Sequence, residues 1–204
     1  MTIFTFGDSH SQCGWRDIKK TKVLIKWLGP KLCYTVGNRE KWKKGKKFNF
    51  SEVKDGDSIV FCFGEIDCRA HIHKHVTKDK SIDYKTQIND IVERYFETLK
   101  KSITFCKKSN VNFFVYNVVP PPTDEILKQN KQYPTLGNQY ERITYVKYFN
   151  TKLKEYCDKT EFEFFDIYNF YSDKDGFMNM KYCDGTHIID PIFLEKYCVD
   201  IGIL

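Results

Sequence analysis

Short apolar, β-rich runs alternate with helix-like segments along most of this chain, and two of those runs, Ser58 to Phe63 and Val111 to Tyr116, lack clean alternation of apolar and polar residues. A strand that is apolar on both faces must be covered on both faces, which is the situation of a parallel sheet between two helical layers. Further strand-like runs lie at 2–6, 23–28, 32–36 and 162–168. Between them, residues 82–106 carry Ile88, Ile91, Val92, Tyr95, Phe96, Leu99, Ile103 and Cys106 at steps of three and four, which marks one buried helical face. Ile143, Val146, Phe149, Leu153 and Tyr156 repeat that spacing over about 138–157. The expected fold class is α/β, a three-layer α/β/α sandwich with a mainly parallel sheet. At 204 residues without a Pro/Gly/Ser-rich linker, residues 1–204 are expected to form one domain.

Composition narrows the classes. Hydrophobic residues at 41% and aromatics at 16% belong to a folded globule, not a disordered chain. No basic stretch followed by an apolar run opens the sequence, and no apolar run approaches the length of a membrane span. Eight cysteines contain no C-x-x-C pair, and Cys33, Cys62, Cys106, Cys157 and Cys198 fall inside strand- or helix-like segments. Reduced, buried thiols and a cytoplasmic location are therefore expected, not a disulfide framework. The net charge of +6 is concentrated in Arg39 to Lys47, with six basic residues in nine. Without a nucleic-acid-binding signature or an internal repeat, that run reads as a solvated lysine-rich loop.

The first strand stops at Gly7-Asp8-Ser9-His10. A glycine turn at the C-terminal end of a first parallel strand lifts a serine hydroxyl out of the sheet, and the helix N-terminus that follows can stabilise an anion. The same residues also suit a plain helix cap by Asp8 or Ser9. Far along the chain, Tyr182-Cys183-Asp184-Gly185-Thr186-His187 places a carboxylate three residues before a histidine. An aspartate that fixes an imidazole, and a histidine that takes a hydroxyl proton, are the partners an activated serine needs. A cap at Asp184 is the alternative.

These two blocks, with Gly64-Glu65-Ile66-Asp67 between them, occur in an order that resembles the SGNH (GDSL-like) hydrolase family over residues 2 to about 190. The resemblance implies a flavodoxin-like sandwich and an acyl-enzyme mechanism that needs no cofactor or metal. It makes Ser9 the nucleophile, His187 the general base and then acid, and Asp184 the residue that orients His187. The oxyanion donors it implies are the Ser9 backbone N–H, a glycine after the second strand, and an asparagine in the middle block. Gly37 is the expected glycine and Gly29 its competitor.

Aligned on Gly-x-Asn-Asp, Ile66 stands where that asparagine is expected. Losing one oxyanion donor costs ~2.7–4 kcal/mol, about 10²–10³ in rate. Arg69 is the candidate substitute, with pairing to Asp67 or Glu65 as its structural alternative. Asp67 itself in the asparagine's place would repel an oxyanion. His71, His73 and His75 would share one face on a strand, as metal ligands do, but the run through Lys80 reads as a polar loop. His10 is expected to pack or hydrogen-bond near the nucleophile turn. Pro120-Pro121-Pro122 ends regular structure and opens a loop to about 137 at the edge where α/β sites form.

The expected activity is a serine esterase that removes a small acyl group such as acetyl from a carbohydrate. An O-acyltransferase with the same three residues is one alternative. A weakly catalytic glycan-binding or interaction module, favoured by Ile66, is the other. The expected partner is a small acylated glycan, with no membrane or nucleic acid.

Overall fold

Strand β1 (Thr2–Gly7) pairs in parallel with β2 (Lys22–Trp27) on one side and with β3 (Ser58–Cys62) on the other. The computed structural model describes residues 1–43, 48–127 and 134–204, and not the side chains of Arg39 and Lys43. Parallel pairing continues through β4 (Asn112–Tyr116) to β5 (Glu163–Phe165), giving the order β2-β1-β3-β4-β5. Every residue of β3 is buried, which is why its sequence shows no alternation. The order reverses direction between β1 and β3, and the crevice outside their C-terminal ends is where sheets of this topology bind ligands.

The helices are α1 (Cys33–Gly37), α2 (Arg39–Lys43), α3 (Ile72–Lys78), α4 (Tyr84–Ile103), α5 (Gln139–Cys157), α6 (Tyr168–Tyr171) and α7 (Ile192–Asp200). They cover the sheet on both sides, making an α/β/α sandwich. Phe4 and Phe6 of β1 with Ile59 and Phe61 of β3 face α4 and α5, where they meet Ile91, Val92, Phe96 and Phe149. The intervening residues Ile3, Val60 and Cys62 face the other way, toward Trp15, Ile188 and the α7 residues Leu194 and Cys198. Each fully buried apolar side chain of these two cores contributes roughly 1.5–3 kcal/mol relative to exposure.

Local chemistry sets the two long helices. Asp83 caps α4 by accepting the Lys85 and Thr86 N–H groups, and Asn138 and Glu141 form a reciprocal capping box at the start of α5. The run 32–36, expected as a strand, is helix α1 instead. The carboxylate of Asp67 accepts the Cys33 and Tyr34 N–H groups from 34 and 33 residues away, so a distant cap overrides the β-propensity of Tyr-Thr-Val. The segment from Lys74, expected as a loop, is helical to Lys78.

All eight cysteines are free thiols. Within the basic run, Trp42 is buried in the core against Phe48, while residues 44–47 lie outside the described residues. Residues 128–133 of the loop after the prolines also lie outside them. Among the described residues no helix is long and apolar enough to cross a membrane.

Candidate active site

Gly7 and Cys62 are paired at the ends of β1 and β3, and a Cβ on Gly7 would sit 2.1 Å from the Cys62 carbonyl oxygen. Glycine at this position is therefore a packing requirement, and it lets the chain turn sharply there. The Asp8 N–H still reaches the Cys62 carbonyl at 3.3 Å before the chain enters the short helical turn Ser9–Ser11. Ser11 Oγ donates to the Asp8 carbonyl and Thr5 Oγ1 donates to the Ser11 carbonyl, so buried hydroxyls brace the turn from beneath. Ser9 stands at its head, and its N–H, the first of a helical turn, has no acceptor inside that turn.

The second part arrives from the far end of the chain. Asp184 Oδ1 accepts the backbone N–H groups of Thr186 at 2.8 Å and His187 at 2.7 Å, which folds the loop over its own carboxylate. Asp184 Oδ2 lies 3.3 Å from His187 Nδ1, and His187 Nε2 lies 2.8 Å from Ser9 Oγ. Burial raises the Asp184 carboxyl, but the two N–H donors, joined by the attraction and hydrogen bond of His187, hold the group below its usual value. For His187, burial and then the neighbouring His10 pull the imidazole below 6.5, against the attraction of Asp184. A neutral imidazole bridging a carboxylate and a hydroxyl is the state in which it can accept a proton.

Beside these residues sits His10, buried, with Nδ1 3.1 Å from Asp8 Oδ1 and Nε2 3.1 Å from the Thr186 carbonyl. Its ring centroid is 4.9 Å from that of His187. The sequence suggests packing or a hydrogen bond near the Ser9 turn, which the Asp8 contact provides, but gives no sign of Thr186, which lies 176 positions away.

The middle block contributes differently from expectation. Ile66 begins a helical stretch in which Ile72 N–H donates to the Asp67 carbonyl, one residue beyond α-helical spacing. Such a widened π turn is a frequent feature of functional sites. Asp67 is fully buried and caps α1, so it does not stand in the oxyanion position. Burial pushes its carboxyl up to about 7 against the Tyr34 and Cys33 N–H groups. Arg69 Nε donates to Glu65 Oε1 at 2.6 Å and Nη1 donates to the Pro134 carbonyl, the structural pairing. Glu65 bears electrostatically on both His10 and His187, so this ion pair borders the site.

Gly37 is corrected by its surroundings. It lies in α1, where a Cβ would fall 2.8 Å from Arg94 Cβ and 2.9 Å from the Arg94 carbonyl carbon, so its small size serves the contact between α1 and α4. Gly29 instead lies two residues past the end of β2, with φ +82 and nothing within 4 Å of where a Cβ would be. Its neighbour Leu28 donates to the Gly7 carbonyl at 2.8 Å, which ties the exit of β2 to the Ser9 turn.

His71 and His75 lie together on one helix face, their rings tilted by 50° with centroids 4.3 Å apart, and Tyr34 packs against His71. His73 faces Gly137 and Glu141 instead. Helical spacing thus separates the three, and among the described residues no group of three metal-ligating side chains forms. Burial and the charges of His75, Lys41 and Lys74 lower His71 to about 4.

The same architecture recurs in solved structures. The chain has the fold of GDSL-like lipases. Against a GDSL-like lipase from Bacteroides thetaiotaomicron it superimposes with a TM-score of 0.57 at 11% identity, over 99% of this chain and 87% of that one. A lipase from a goat rumen metagenome gives 0.56 at 14% identity, over 100% and 98%. A Streptococcus pneumonia protein named for platelet activating factor gives 0.64 at 14% identity, over 98% and 82%. No protein-family model and no curated protein sequence matches the chain.

Proposed function

We propose that this chain is a serine esterase that removes a short acyl group, such as acetyl, from a carbohydrate through an acyl-enzyme. The observation that carries the reading is the continuous path Ser9 Oγ, His187 Nε2, His187 Nδ1, Asp184 Oδ2, with contacts of 2.8 and 3.3 Å. Ser9 Oγ attacks the ester carbonyl carbon as His187 Nε2 takes its proton. The resulting oxyanion is taken up by the Ser9 N–H, with the Gly29 N–H proposed as the second donor because Leu28 ties that segment to Gly7. His187 returns the proton to the departing alcohol oxygen, and a water repeats the sequence to release the acid and free Ser9.

What supports a short acyl group is the cavity beside the site, walled by Val118, Val119, Pro121 and Val146 and bounded by Glu65 and Thr186. Inside it the space open to the centre of a water-sized sphere is about 10 Å³, near the minimum for one ordered water, which leaves no room for an extended fatty chain. Glu65, Arg69 and Thr186 along its rim supply hydrogen-bonding groups suited to a sugar.

The test compares p-nitrophenyl acetate with the octanoate, in the parent and in Ser9→Ala. The parent is expected to prefer acetate by at least tenfold, and Ser9→Ala to lose ~10⁴-fold or more in kcat while keeping its melting temperature. A fluorophosphonate should label Ser9 in the parent alone. Equal rates for parent and Ser9→Ala remove the hydrolase reading, and a preference for octanoate removes the short-chain assignment.

A further inference from the structure

His10 does more than fill space. It sits between the two parts of the site, joining Asp8 on the nucleophile turn to the Thr186 carbonyl on the His187 loop by contacts of 3.1 Å each. An imidazole that bonds a carboxylate oxygen through one nitrogen and a carbonyl oxygen through the other has acceptors on both sides. Satisfying both requires a proton on each nitrogen, so the geometry calls for the imidazolium form. Asp8 requires the same: it is 1% exposed, and its other oxygen, Oδ2, is buried without a hydrogen-bond partner. A buried carboxylate in that state is costly unless a cation lies against it.

We propose that His10 is a positioning residue, a buried imidazolium that clamps the His187 loop to the nucleophile turn and keeps His187 neutral. The clamp acts on distance, because Thr186 immediately precedes His187, so the bond to its carbonyl limits how far Nε2 can move from Ser9 Oγ. The charge acts on protonation, because a cation whose ring centroid lies 4.9 Å from that of His187 disfavours a second proton there.

The other charges around the pair are accounted for. Asp8 and Glu65 face His10, while Asp184 and Glu65 face His187. Cys13, near Asp184 and Asp8, is raised above 9 chiefly by burial and is a neutral thiol over the working range. Burial lowers His10, but Asp8 more than offsets this and carries it to about 9. His10 therefore keeps its charge across the range in which His187 titrates. The consequence is a site that stays active to lower pH than an isolated imidazole would permit, since neutral His187 is the form that accepts the serine proton.

This inference rests on the esterase reading for its catalytic consequence, and the test separates the two. Proton NMR titration of the intact protein follows the His187 ring directly, assigned by loss of its signal in His187→Gln, and needs no turnover. In His10→Gln, where the amide still donates a hydrogen bond but carries no charge, the His187 midpoint should rise by roughly half a unit or more. The acid limb of kcat/KM for p-nitrophenyl acetate should rise with it. His10→Phe, which removes charge and both contacts, should show the same shift and a further fall of about tenfold in kcat. The parent's His10 signal should remain in its protonated position past pH 8. An unchanged His187 midpoint in folded His10→Gln overturns the proposal. Absence of esterase activity in the parent would instead remove the hydrolase reading and leave the NMR result to decide His10.

Discussion

Asp184 and Asp67 each accept two backbone N–H groups, Asp184 from Thr186 and His187 in its own loop, Asp67 from Cys33 and Tyr34 at the start of a distant helix. The hydrogen bonding is nearly the same, yet the carboxyls move in opposite directions. The Asp184 side chain is 46% exposed and is held below its usual value, whereas Asp67 is 0% exposed and rises to about 7. At Asp184, where water still reaches the group, the two donors together with the attraction and hydrogen bond of His187 outweigh desolvation; at Asp67 the two donors fail against full burial, to which Asp8 and Glu65 add. One aspartate is thereby left charged beside an imidazole, and the other becomes an internal cap. Both sit in motif-like blocks of the sequence, so the residue type alone does not distinguish a reaction partner from a structural strut.

Substitutions should split this pair. Asp184→Asn is expected to lower kcat by ~10⁴-fold with the melting temperature nearly unchanged, because it removes the group that fixes the His187 tautomer and stabilises the imidazolium. Asp67→Ala should do the reverse. It leaves two N–H groups of α1 without their acceptor, a loss of about 1–3 kcal/mol, or several degrees in melting temperature for a chain of this size. Activity per folded molecule should fall far less than in Asp184→Asn. If the two variants behave alike in both assays, the division of roles is wrong.

The two glycines give a second contrast. Gly37→Ala pushes a methyl onto the Arg94 backbone and should destabilise by about 1–3 kcal/mol at nearly constant kcat. Gly29→Ala meets no neighbour, but its φ of +82 should cost about 1 kcal/mol. If its N–H serves the oxyanion, the shifted backbone should also lower kcat. Calorimetry paired with acetate-ester kinetics reads both.

The smallest effect is in the pH dependence of stability. Asp67 is protonated in the folded chain at pH values where the unfolded chain, at 3.8, is already ionised. Its contribution is therefore fully present below about 3.8 and is lost as the pH rises toward about 7. Asp184 has the opposite sign, contributing above 3.8 and losing that contribution as the pH falls through its depressed value. Thermal melts from pH 4 to 7.5 should show a shallower decline for Asp67→Asn than for the parent.

Features that rest on neighbours in sequence were legible in it. The glycine turn at Ser9, the Asp184-to-His187 spacing and the apolar face of α4 are all local patterns, and the residues they mark meet in the structure or line its core. The core strands were readable for the same reason. What could not be read depends on groups far apart in the chain. Residues 32–36 are helical because of a carboxylate at 67, Gly37 is small because of Arg94, and His10 acquires its partner from position 186. The helix through His71 to His75 was hidden by its lysines, which resemble a loop until the buried side of Ile72 is seen. Helix α7 is short, and its start signal, Asp190-Pro191 with Asp190 Oδ1 accepting the Ile192 N–H, is a dipeptide that suits a turn equally well.

Ser9 and His187 are 178 residues apart in the chain and 2.8 Å apart in space. On the esterase reading, a ribosome releases the serine early and its base late, and for most of synthesis the serine is chemically idle. On that reading, turnover would report completed folding, since any cut or fraying that frees the loop at Asp184 would silence Ser9 without touching it. Ser9 meets His187 only in a chain that has closed on itself.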